Sequence, residues 1–67
     1  MTTYQIIQRL ETYFQCPMTL LSETKNNLEF VGNESNEWFE LKVNKDDYSL
    51  LMRTADAEWA DPEIEIF

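Results

Sequence analysis

The hydrophobic period of the chain changes at Pro17, and that change limits the fold more than any other feature of the sequence. Before it, Ile6, Ile7, Leu10, Tyr13 and Phe14 fall within an arc of about 120° when wound at about 100° per residue, the stripe of an amphipathic helix. Gln5, Gln8, Arg9, Glu11, Thr12 and Gln15 take the remaining surface. Thr2 followed by Gln5 predicts a capping box, in which the hydroxyl accepts from the third helical N–H and the amide reaches back to the cap. Pro17 closes the helix, because the residue before a proline is pushed out of helical dihedrals. The helix is expected over residues 3–15.

After Pro17 apolar residues alternate. The turn-forming clusters Thr24 to Asn27, Asn33 to Asn36 and Asn44 to Asp47 divide the stretch into strands near 18–22, 28–32, 37–43 and 48–54, with 63–67 as a candidate fifth. A four-residue loop at Asn44 to Asp47 sets Val43 opposite Tyr48, Leu41 opposite Leu50 and Phe39 opposite Met52. A loop at Asn33 to Asn36 sets Phe30 opposite Phe39 and Leu28 opposite Leu41. Both registers put these residues on one face, and a one-residue slip in either would break the agreement. In the first strand Met18 and Leu20 compete with Leu21 for the inward positions. The expected fold is α+β: one 67-residue domain in which an N-terminal amphipathic helix packs on one face of a three- to five-stranded antiparallel meander sheet.

A chain of 67 residues supports only a thin core, burying about 60% of its surface on folding. With 43% hydrophobic residues, one Gly and two Pro, its composition is not that of a disordered chain. The lone Cys16 cannot form an internal disulfide, which removes the usual staple of a small secreted domain. No apolar run approaches the ~18 residues of a membrane span, and the first ten residues lack the pattern of a signal peptide, so a cytoplasmic location is expected.

The same registers place Val31, Trp38 and Leu51 on the other sheet face, among Glu29, Glu40, Lys42 and Arg53. One helix cannot cover both faces. Either Trp38 is a scattered surface aromatic, paired locally with Arg53, or Val31, Trp38 and Leu51 form the apolar centre of a homodimer or partner interface.

Catalytic chemistry has little to work with. There is no His, the side chain whose ordinary titration best suits acid–base work near neutrality. Cys16 lies at the C-terminal end of the helix, where partial negative charge disfavours an anionic nucleophile. Asp46 and Asp47 read as solvated turn formers, and no phosphate-binding glycine loop, zinc spacing or calcium loop is present. The chain is expected to be non-enzymatic, with no cofactor and no metal.

Thirteen Asp and Glu against five Lys and Arg give a net charge of −8, which repels nucleic acid and attracts proteins that bind it. The charge is localised: residues 1–33 carry three acids and two bases, whereas residues 34–67 carry ten acids and three bases. Glu34 and Glu37 at one turn, Asp46 and Asp47 at another, and Asp56, Glu58, Asp61, Glu63 and Glu65 along the tail are the candidate partner-binding acids. Trp59 within the tail reads either as an aromatic anchor for a basic groove or as a core residue that pins the tail down. Solubility alone is the plainer account of the acids.

The functional expectation is an inhibitor that mimics nucleic acid and occupies the basic surface of a nuclease or other nucleic-acid-binding protein. In size, charge and lack of catalytic groups the chain is similar to the small acidic inhibitors that bacteriophages and other mobile elements encode against restriction or CRISPR nucleases. It shares no motif with them, so no residue role is carried over. Two alternatives stand beside this one: an accessory subunit or obligate dimer using the Trp38 face, and an antitoxin or immunity-type protein whose partner is basic.

Overall fold

A computed structural model describes residues 1–54 and 57–67. Among these residues one helix, α1 (Thr3–Phe14), precedes four strands, β1 (Met18–Glu23), β2 (Asn27–Glu34), β3 (Glu37–Asn44) and β4 (Leu50–Thr54). The strands form one antiparallel sheet in the order β1-β2-β3-β4, with α1 on one face. This is the α+β meander that the change of period predicts. Among the described residues no helix is long and apolar enough to cross a membrane.

The helix begins on the predicted capping box. Gln5 N–H donates to Thr2 Oγ1 at 3.1 Å, and Thr2 N–H donates to Gln5 Oε1 at 2.8 Å. It ends at Gln15, whose left-handed backbone (φ 55°) turns the chain toward Pro17. Ile6 and Leu10 are fully buried, and Ile7 and Phe14 pack at the margin of the core. Tyr13, on the edge of the predicted stripe, is half-exposed.

Both hairpins differ from the predicted registers by two residues. The β2–β3 turn is the shorter one: Ser35 (φ 54°) and Asn36 (φ 67°) both adopt the left-handed region, as a two-residue type I′ turn requires. It sets Leu28 opposite Val43, Phe30 opposite Leu41 and Gly32 opposite Phe39. The β3–β4 turn is longer. Asn44 Oδ1 accepts from the N–H groups of Asp46 (2.8 Å) and Asp47 (3.2 Å), and Tyr48 N–H donates to the Asn44 carbonyl at 2.9 Å. Tyr48 sits at φ 58°, so β4 starts at Leu50, and Val43 pairs with Leu50 and Leu41 with Met52. A shift of two leaves every side chain on its original face, which is why the predicted inner face is right although its pairs are not.

The core is Ile6 and Leu10 from α1, Met18, Leu28, Phe30, Phe39, Leu41, Val43 and Leu50. Gly32 belongs to it for a steric reason. A Cβ at that position would lie 2.6 Å from Phe39 Cζ and 3.0 Å from Met18 Sδ, so the Phe39 ring rests directly on the glycine backbone. In β1 the ladder is interrupted between Leu20 and Ser22, and the bulged Leu21 points to solvent with 56% of its surface exposed.

The tail is not the predicted strand over 63–67. Among the described residues its one ladder contact is the pair Met52 and Ala60, joined by N–H···O bonds of 2.8 and 2.9 Å. Pro62 has no N–H to give, and Glu63 (φ 56°) turns the chain, held by its N–H to Asp61 Oδ1 at 2.8 Å. Inward and outward alternation survives without a ladder: Ile64, Ile66 and Phe67 pack against the core while Glu63 and Glu65 face out.

Gly32→Ala is expected to destabilise the fold by about 1–3 kcal/mol, because the added methyl must displace Phe39 or Met18 from a filled core. Urea unfolding followed by Trp fluorescence measures it.

Candidate functional site

The outer face of the sheet carries Val31, Trp38, Glu40, Lys42, Leu51 and Arg53 as expected, but its centre is ionic. Glu40 stands opposite Arg53, and their side chains meet at 3.1 Å; Lys42 stands opposite Leu51. Trp38 pairs with Asn33 and Val31 with Glu40. Leu51 is therefore separated from Trp38 by the Glu40–Arg53 pair, whereas Val31 lies diagonal to Trp38 across the β2–β3 ladder on the same face. Trp38 itself is 62% exposed.

The predicted pairing of Trp38 with Arg53 is not made. Trp59 takes that cation instead: its ring lies 4.4 Å from the Arg53 guanidinium carbon and 4.4 Å from Lys42 Nζ. The two cations come from adjacent strands and face the same side, which gives the negative ring face two positive contacts. Trp59 is not the core residue that one sequence reading made it: it lies half-buried over two cations on the outer face of the sheet, and holds the tail there. The signal was present in the sequence, since Lys42 and Arg53 were assigned to one face, but nothing local indicated that the tail returns across it.

Pinned by Trp59, by the Met52–Ala60 pair and by Ile64, Ile66 and Phe67, the tail presents Glu58, Asp61, Glu63 and Glu65 to solvent. Asp56 lies outside the described residues. The remaining candidate acids occupy the two ends of the sheet. Glu34 and Glu37 face each other across the last pair of the β2–β3 hairpin, a like-charge arrangement that costs stability. Asp46 and Asp47 lie in the β3–β4 turn at the opposite end. The tail acids share one segment that starts beside β4 at the Met52–Ala60 pair and runs past the β3–β4 turn, where Asp61 and Glu65 line a cleft with Tyr48 and Ser49, to the flank of α1, where Glu65 borders a groove with Gln5 and Arg9. The Glu34–Glu37 pair lies at the other end of the sheet.

The bases are largely committed. Lys45 meets Glu23 at 2.6 Å, Arg53 meets Glu40 and Trp59, and Lys42 meets Trp59. The Asp47 carboxylate accepts the Ser49 N–H at 2.9 Å, which holds its pKa below the ordinary carboxylate value. Among the described residues no group of three His, Cys, Asp or Glu is placed to hold a metal ion. Cys16 is half-buried against the core.

No protein-family model matches the chain, and neither the curated proteins nor the solved structures provide a match.

Trp59→Ala is expected to lower stability by about 1–2 kcal/mol, through loss of two cation contacts and their packing, and to speed amide exchange in residues 57–67. Trp38→Ala, at an exposed position, is expected to change stability by less than about 0.5 kcal/mol. Hydrogen exchange and urea titration of both variants check the contrast. Asp47→Asn is expected to destabilise the β3–β4 turn at neutral pH. A carboxylate with a lowered folded-state pKa stabilises above its unfolded value of about 3.9 and loses that contribution as pH falls through the folded value, so the difference from wild type should vanish in acid. Thermal unfolding between neutral pH and pH about 2 tests the sign.

Proposed function

We propose that this is a small non-enzymatic interaction protein that binds the basic, nucleic-acid-handling surface of another protein and blocks it by occupying the charge site. The observation that carries this reading is the anchored acidic tail. Glu58, Asp61, Glu63 and Glu65 are exposed on a segment fixed to the sheet by Trp59 and its apolar neighbours. An ordered array of carboxylates loses less conformational entropy on binding than a floppy one and can match a fixed pattern of Lys and Arg. Lys42, Lys45 and Arg53 are held against other groups of the chain, and among the described residues none of them forms an ion pair with Glu58, Asp61, Glu63 or Glu65. In this reading Trp59 positions the acids and makes no contact with the partner itself. Asp46 and Asp47 extend the negative surface at one end of the sheet, and Glu34 with Glu37 extends it at the other.

A second reading rests on Trp38, exposed to 62% on the outer face. There the protein is an accessory subunit whose contact is centred on that ring, and the acids only maintain solubility. An immunity-type protein with a basic toxic partner shares the electrostatics of the first reading and differs only in its target.

Replacing Glu58, Asp61, Glu63 and Glu65 by their amides is expected to weaken binding to a captured nucleic-acid-binding partner by about tenfold or more, and binding of the parent chain is expected to fall as salt rises. Titration calorimetry of parent and amide variant at low and high salt measures both. Full-strength binding by the amide variant ends the first reading; loss of binding on Trp38→Ala alone moves the assignment to the second.

A further inference from the structure

Between the tail and the β3–β4 turn lies a cleft of about 260 Å³. Small-molecule sites begin at about 300 Å³, so this one is sized for a single side chain. Its lining is divided by chemistry. Leu50, Leu51, Ile64 and Phe67 are apolar and buried or half-buried, whereas Ser49, Asp61 and Glu65 are polar and exposed. One Asp61 oxygen accepts the Glu63 N–H at 2.8 Å, and the Glu65 carboxylate has no hydrogen-bond or ion-pair partner among the described residues. Tyr48, on the turn side, and Glu63, within the tail, both hold left-handed backbone (φ 58° and 56°). Such conformations cost energy in residues other than glycine and gather at ligand-binding sites.

We propose that this cleft receives an arginine side chain of the basic partner. The proposal rests on the reading of the acidic tail as the partner-binding surface, and adds the residue that seats in it. A long cationic side chain divides as the cleft does, with its aliphatic stem along apolar surface and its charged head at the wet rim. The head selects arginine. A guanidinium carries five donors in a fixed plane, enough for Asp61 and Glu65 together, whereas an ammonium is a compact and strongly hydrated point charge.

The chain offers no cation of its own for this rim. Among the described residues neither Asp61 nor Glu65 forms an ion pair, and Lys42, Lys45 and Arg53 are engaged by Trp59, Glu23 and Glu40. With a net charge of −8, the protein attracts a cationic group to the cleft before any contact forms. A neutral side chain of the same shape leaves both carboxylates without a counter-charge, and a bare cation leaves the apolar lining in water. Arginine answers both.

Heteronuclear NMR of the isotope-labelled chain, titrated with N-acetylarginine amide, tests the assignment. N-acetylcitrulline amide supplies the uncharged isostere, and guanidinium chloride the head without its stem. The expected result is saturable shifts centred on Ser49, Leu51, Ile64 and Glu65, with both reference compounds binding about tenfold or more weakly. Asp61→Asn combined with Glu65→Gln is expected to abolish the arginine shifts. Both amides keep the side-chain shape, and the Asn oxygen can still accept the Glu63 N–H. Equal shifts with arginine amide and guanidinium, shifts centred on Glu34 and Glu37 instead, or no saturable shift overturn the proposal. The reading on which it rests is judged separately, by the four-amide variant and the captured partner. If partner binding falls with those amides while arginine fails to seat, the tail is a diffuse charge surface and the cleft is not its anchor.

Discussion

A twelve-residue helix can bury only one face of a four-stranded sheet, and the rest of the structure answers that constraint. The helix-facing side receives the aliphatic and aromatic residues and becomes the core. The other side is left to water, and the chain covers part of it with an ion pair, Glu40 and Arg53, and with the Trp59 ring over two cations. Lys and Arg suit such a face because their aliphatic stems cover apolar backbone while their charged ends stay partly hydrated. Trp59 is thus both a cover for the sheet and the clasp of the tail.

That arrangement links stability to charge placement. The tail acids would repel one another and fray from the surface if nothing held the segment that carries them. Apolar residues at alternate positions, Ile64, Ile66 and finally Phe67, whose ring lies 5.8 Å from that of Tyr48, turn the intervening Glu63 and Glu65 outward. Fold and electrostatic surface are therefore set by one short pattern of side chains.

The helix, its cap, the four main strands and the membership of the inner face were legible in the sequence because each rests on local periodicity or local hydrogen bonding. Hairpin registers were less legible, since they depend on how many residues a turn consumes. Ser35 and Asn36 form a two-residue turn without glycine, and Tyr48 takes a left-handed backbone that an aromatic residue gives no reason to expect. The seat of Trp59 was legible only in part: Lys42 and Arg53 fall on one face by their strand positions, but nothing local to Trp59 indicates that the tail returns across them. The alternation of Ile and Glu in the tail correctly gave the inward and outward sides, but Pro62 and the turned Glu63 remove the ladder that such a pattern ordinarily accompanies.

The nearest-neighbour order of the strands has a kinetic consequence. Each strand pairs with the one before it in sequence, so every ladder closes only a short loop and the entropic barrier to assembly is low. The tail alone returns without a ladder of its own, and its seat on Lys42 and Arg53 exists only once β3 and β4 are side by side. Contacts made that late contribute little to the folding transition state, so they govern how slowly the native protein comes apart and leave the speed of its formation almost untouched.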